Sequence, residues 1–109
     1  MAAALGAFEQ AVLLAVLRLG EHAYGRGILR DVQERLERDV SAGAAYATLD
    51  RLEGKGLLGS KVAPGTAARG GRARRYYYVS SAGLRALTNT KVAIDKIWRG
   101  LTWPLKTHA

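Results

Sequence analysis

The chain contains no cysteine. That rules out disulfides, thiolate metal sites and cysteine nucleophiles, and it argues against a disulfide-stapled secreted module. Long apolar runs are missing too. The longest, Ala11 to Leu17, is far short of the roughly 20 residues a membrane-spanning helix needs. The opening MAAALGAFEQ has no basic residue and carries Glu9, unlike a signal peptide, so a cytoplasmic location is expected. Histidine is scarce: His22 falls in a turn and His108 in the tail, and they do not make a metal site. Ser41, Ser60, Ser80 and Ser81 read as caps or strand-end residues, not nucleophiles. Gly70-Gly71 lacks the Gly-Lys-Ser/Thr ending of a phosphate-binding loop. No enzyme, metal or cofactor is expected. Acid is nearly absent from the second half. Residues 1–55 carry a net charge of −1, whereas residues 56–109 hold ten Lys/Arg against Asp95 alone, a net of +9. A positive field confined to one region suits a polyanion such as DNA.

At 109 residues the chain should form one structural unit with a marginal core, so pairing with a second copy is a reasonable expectation. A first helix is expected over residues 6–19. Phe8, Val12, Ala15, Val16 and Leu19 keep helical spacing, and Leu13, Leu14 and Leu17 widen the apolar face. A helix apolar on two sides needs two partners, its own core and a second subunit. A second helix is expected over residues 24–38, with Ile28, Leu29, Val32 and Leu36 inward. Its wet face offers the pairs Asp31 with Arg35 and Glu34 with Arg38.

The stretch from Ser41 to Val79 is the most informative. Ser41 is a good N-cap for a third helix ending at the Gly54-Lys55-Gly56 cluster. Ala45, Leu49 and Leu52 share its core face, and Ala44, Ala47, Thr48, Arg51 and Lys55 share the opposite one. Two short strands follow, around Leu57–Val62 and Tyr76–Val79, joined by a loop marked by Pro64-Gly65 and Gly70-Gly71. Arg69, Arg72, Arg74 and Arg75 crowd the second half of that loop. Of the consecutive Tyr76, Tyr77 and Tyr78, alternate rings must face opposite sides of the sheet; packing within the sheet is the expected role of all three, and Tyr77 is the one better placed to point outward, towards ligand or DNA. A helix leading into a basic-tipped hairpin is the layout of a winged helix-turn-helix. The helix can enter a major groove while the hairpin follows phosphates. On this reading Thr48 and Arg51 read bases and Lys55 meets phosphate, as do the loop arginines. A last helix is expected from Ser81, as N-cap, to about Leu101. Leu84, Leu87, Lys91, Ile94, Trp98 and Leu101 fall on a three-four repeat suited to pairing with another subunit.

Three blocks in this order and spacing resemble the PadR family of bacterial transcriptional regulators: FEQAVLLAVLRLGEHAYG (8–25), AYATLDRLEGKGLL (45–58) and GGRARRYYYVSSAG (70–83). The resemblance covers nearly the whole chain and looks like the compact members with one C-terminal helix. It implies a homodimer built from the first and last helices, with the third helix and wing on DNA. Tyr46 matches the family's tyrosine in the recognition helix, and Gly70, Gly71, Arg72 and Tyr76 match its wing signature. Some compact members hold planar aromatic compounds between the C-terminal helices, stacked on a tryptophan. Trp98 is a candidate either for that role or for the dimer core. Two departures, Ala44 and the small apolar tip APGTAA, bear on the operator sequence.

The expected fold is α+β and mostly α: a winged helix-turn-helix over residues 1–80, with a two-stranded wing, and a C-terminal dimerisation helix and tail over 81–109. The expected function is a sequence-specific, ligand-responsive repressor acting as a homodimer on an inverted-repeat operator. The alternative is a winged-helix module for protein interaction. The DNA-facing residues would be Ser41, Ala44, Tyr46, Thr48, Arg51, Lys55, Arg69, Arg72, Arg74 and Arg75. The dimer face would comprise Val12, Val16, Leu84, Leu87, Lys91, Ile94, Trp98 and Leu101. A planar aromatic effector would meet Trp98, Ile94 and Phe8.

Overall fold

The computed structural model describes residues 4–107, so His108 lies outside the described residues. Four helices and one hairpin follow the order α1 (Ala7–Leu19), α2 (Gly25–Leu36), α3 (Ala42–Gly54), β1 (Leu58–Ala63), β2 (Arg74–Val79) and α4 (Ser81–Trp98). Short 3₁₀ turns occupy Gly20–His22 and Ala67–Arg69.

Local chemistry sets most of these boundaries. Ser41 Oγ accepts from the Ala44 N–H at 3.0 Å, which caps α3. The N-cap of α4 is Ser80, one residue earlier than the sequence suggests. Its Oγ accepts from the Gly83 N–H at 3.1 Å and donates to the Gly56 carbonyl at 2.6 Å. The third helix leaves through Gly56 at φ +77°, and the Leu57 N–H returns to the Leu52 carbonyl at 2.9 Å. That left-handed turn aims the chain straight into β1. The second helix stops at Leu36 because Glu37 adopts φ 52°. Arg38 therefore lies past the helix, and no Glu34–Arg38 pair forms among the described residues. Arg35 lies 3.9 Å from Asp31, but the closer partner of Asp31 is Arg18 of α1, which ties α1 to α2.

The core gathers Val12, Leu13 and Val16 of α1, Ile28 and Val32 of α2, Leu49 and Leu52 of α3, with Leu58 and Tyr77 from the sheet. In the sheet, β1 and β2 run antiparallel from Leu58↔Val79 to Ala63↔Arg74. The base of the hairpin is bonded to the turn after α1. The Tyr77 N–H donates to the Ala23 carbonyl at 2.8 Å, and Tyr24 bridges to Tyr76.

Two expectations are corrected here. Tyr77 points inward, 8% exposed, and Tyr78 points out. Paired residues of an antiparallel ladder share a face. Leu58 is buried and opposes Val79, so Ser60 and its partner Tyr77 must also face the core. The Tyr78 ring lies instead on the outer face, folded across its partner Gly59, where a Cβ would collide with it. The last helix ends at Trp98, not Leu101. Arg99 is extended, Gly100 turns at φ +89°, and the Trp103 ring comes back to 5.9 Å from that of Trp98.

Candidate nucleic-acid interface

Only one side of α3 is free. Ala45, Thr48, Leu49 and Leu52 are buried, so the stripe pointing away from the core is Gly43, Ala47, Asp50 and Gly54. The face expected from the sequence is rotated from this one by about a quarter turn. Thr48, expected on the outer face, is 3% exposed and presents no hydroxyl to a groove. Its Oγ1 accepts from the Arg51 guanidinium at 3.3 Å. Thr48 follows the core residue Ala45 by three positions, at the edge of the apolar face, where a side chain can turn either way. Here the packing of α1 against α3 takes it inward.

Arg51 and Lys55 form one flank of α3, and both turn toward α1. Lys55 Nζ lies 3.2 Å from Glu9 Oε2, and Arg51 Nε lies 3.9 Å from the same oxygen. The Glu9 side chain is only 18% exposed, and its other oxygen accepts from the Gly6 N–H at 3.4 Å. Glu9 is thus a counter-anion for the basic flank of α3. Sequence reasoning missed this role because the partners are 42 and 46 positions away. Nearby, Phe8, Arg38, Val40, Ser41, Ala44 and Ala47 line a shallow groove along the same flank.

On the other flank, Tyr46 lies over Gly25 at the start of α2, so closely that a Cβ at Gly25 would strike its ring. Tyr24, Arg26, Tyr46, Arg74 and Arg75 line a cleft between α2, α3 and β2. The Arg74 guanidinium sits 4.0 Å over the Tyr24 ring, a cation–π contact that holds its direction. Tyr24 meets Tyr76 edge-on at 6.0 Å. Arg75 faces the opposite side of the strand, near Glu53 of α3 at 3.8 Å and Ser60 at 3.2 Å.

The wing tip is folded on itself. Arg69 donates to the Pro64 carbonyl at 2.6 Å and to the Arg72 carbonyl at 3.4 Å, while Arg72 Nε donates back to the Arg69 carbonyl at 3.3 Å. Gly70 and Gly71 both have positive φ and close this turn. Of the four loop arginines, two therefore brace the tip and two lie along β2.

The residues expected at the dimer face divide as well. Val12 and Val16 are 0% and 2% exposed, so they belong to the core of the chain and not to an outer face. The outward side of α1 is Leu14 and Leu17, which with Leu84, Leu87, Val92 and Ile94 line an open apolar groove against α4. Lys91 spans the edge of that groove to Asp95 at 3.1 Å. The face that α4 turns to the rest of the chain joins Leu87, packed against the core, to two small residues, Gly83 and Thr90, which are buried, and Thr90 Oγ1 accepts from the Leu5 N–H at 3.0 Å. Phe8, Ile94 and Trp98 are not brought to one cavity within the chain. Phe8 lines the groove beside α3, Ile94 the groove between α1 and α4, and Trp98 stands beside Trp103.

The described residues contain no cluster of His, Cys, Asp and Glu that could hold a metal ion, and no helix among them is long and apolar enough to cross a membrane. Residues 13–89 match the transcriptional regulator PadR-like family. A transcriptional regulator of Mycobacterium tuberculosis is 43% identical over 60 residues, which is 55% of this chain and 52% of the relative. The chain thus matches about half the length of that curated relative. A PadR family transcriptional regulator from Eggerthella lenta superposes with a TM-score of 0.64 at 28% identity, covering 82% of this chain and 75% of the other. A PadR-like transcription factor from Bacteroides fragilis gives a TM-score of 0.66 at 23% identity over 82% and 81% of the two chains, a likeness of fold. Members of the matched family are regulators of transcription, not enzymes. The match covers most of the chain, from within α1 through α2, α3 and the hairpin to the first half of α4: this protein belongs to the PadR-like family of transcriptional regulators and has its winged-helix fold.

Proposed function

We propose that this chain is a homodimeric repressor that binds an inverted-repeat DNA operator in the cytoplasm and responds to a small planar aromatic effector. The observation that carries the DNA part is the cleft where Tyr46 of α3, Arg26 of α2 and Arg74 of β2 come together, with Arg75 at its edge. It joins the helix that would enter a major groove to the strand that would follow the backbone. Arginine suits that position because its planar donors match phosphate oxygens. Ser41 and Ala44 would lie at the entering end of α3, Arg51 and Lys55 along one wall of the groove, and Arg69 and Arg72 at the tip of the wing.

The dimer reading rests on a different surface. Leu14, Leu17, Leu84, Val92, Ile94 and Trp98 are all large, apolar and exposed in the single chain. A second copy covering this face would remove that liability. The effector would then sit where two copies of α4 meet, against Ile94 and Trp98. It would act by binding one separation of the two α3 helices better than another.

The test is fluorescence anisotropy against the DNA upstream of the protein's own gene, at two salt concentrations and with unrelated duplex as competitor. Tight binding that weakens with salt yet survives the competitor is expected. Absence of binding at low salt would overturn the reading and leave a winged-helix protein-interaction module.

A further inference from the structure

Resting on the DNA-binding reading above, we propose that Asp50 determines operator sequence, by selecting cytosine in the major groove. Thr48 and Arg51, which the sequence offers as base readers, are taken up elsewhere, and so are Lys55, expected on phosphate, and Tyr46. Thr48 is buried, and Arg51 and Lys55 are turned to Glu9. The ring of Tyr46 covers Gly25. On the outward stripe of α3, Gly43, Ala47 and Gly54 have no group that can form a hydrogen bond through a side chain. A Cβ added at Gly43 or at Gly54 would meet nothing within 4 Å. Asp50 lies exposed between Ala47 and Gly54, and its carboxylate has no hydrogen-bond or ion-pair partner among the described residues. Among the described residues it is the one ionised group at the centre of the surface that a groove would receive.

The chemistry of that group is restrictive. An ionised carboxylate only accepts hydrogen bonds. In the major groove, guanine presents acceptors, thymine an acceptor and a methyl, and adenine an acceptor beside its amino group. Cytosine alone presents a donor without an acceptor. A carboxylate therefore meets an unopposed donor at cytosine N4, a donor flanked by an acceptor at adenine, and no donor at guanine or thymine. It also repels phosphate, so Asp50 lowers affinity for duplex in general while raising discrimination. The small residues around it let the helix backbone come close enough for a side chain as short as aspartate to reach a base edge.

Selection from a randomised duplex pool, followed by anisotropy on the selected and substituted sites, tests this with wild type, Asp50→Ala and Asp50→Asn. The expected result has three parts. Wild type selects a site with a cytosine whose replacement costs roughly 5- to 100-fold in affinity. Asp50→Ala binds random duplex more tightly but no longer distinguishes that position. Asp50→Asn moves the preference at that position to adenine, whose edge an amide matches. If wild type is selective and Asp50→Ala keeps the same selectivity, Asp50 is only a surface charge and the inference is overturned, while DNA binding stands. If wild type selects no sequence and binds no duplex, the DNA-binding reading itself fails.

Discussion

Replacing Gly83 by alanine should destabilise the protein, although glycine-to-alanine changes in helices normally do the reverse. An ordinary helical position gains about 1 kcal/mol from the change. At Gly83 the new Cβ would fall well inside contact distance of the Leu57 carbonyl oxygen and 2.7 Å from Val79 Cγ1. The carbonyl cannot retreat freely, because it accepts the Ser80 N–H at 3.1 Å where β2 runs into α4. Overpacking of this kind costs about 1–3 kcal/mol. Loss of the Ser80 hydrogen bond adds about 1 kcal/mol. Set against the helical gain, the net loss is about 1–3 kcal/mol, which for a domain of this size lowers Tm by on the order of 10 °C. Gly43 is the control. It also lies in the first turn of a helix, but a Cβ there meets nothing within 4 Å, so Gly43→Ala should raise Tm. Thermal melts followed by circular dichroism at one fixed protein concentration make the comparison. A Gly83→Ala protein that melts at or above wild type would refute the claim that α4 is seated by backbone-to-backbone approach.

Glu9→Gln should free Arg51 and Lys55 and strengthen binding to unrelated duplex several-fold at low salt; the logarithmic salt slope should steepen by about two if both meet phosphate. An unchanged slope would mean the two cations never reach phosphate. Ile94→Asp places a charge in the apolar groove between α1 and α4 and should give monomers in sedimentation velocity; persistent dimers would move the interface elsewhere. Burial raises the Tyr77 phenol above its ordinary pKa of 10.0, with the nearby Arg75 opposing the shift. The folded state thus keeps a proton that the unfolded chain gives up. This contribution to stability is complete below about pH 10 and is lost as pH rises through the folded value. Tyr77→Phe should therefore blunt alkaline unfolding, and urea midpoints measured from pH 9 to 11 that fall equally in both proteins would contradict it.

The order of elements was legible in the sequence because each depends on neighbours close along the chain. Ser41 as a cap, the glycine cluster at the end of α3, the apolar spacing of α1 and α2 and the arginine-rich hairpin are local signals, and they point to the winged-helix fold and the PadR-like family. The direction each face points was decided only by tertiary packing. The first helix is apolar nearly all round, so no periodicity tells Val12 and Val16, which are in the core, from Leu14 and Leu17, which are outside. Thr48 goes inward because α1 packs on that edge of α3, and Tyr77 goes inward because the register fixes its parity with Leu58. Glu9 meets Lys55 across 46 positions, a contact invisible to any local pattern. A sequence specifies periodicity. The phase of that periodicity belongs to the partner surface, and in a chain this rich in small and apolar residues only the assembled core sets it.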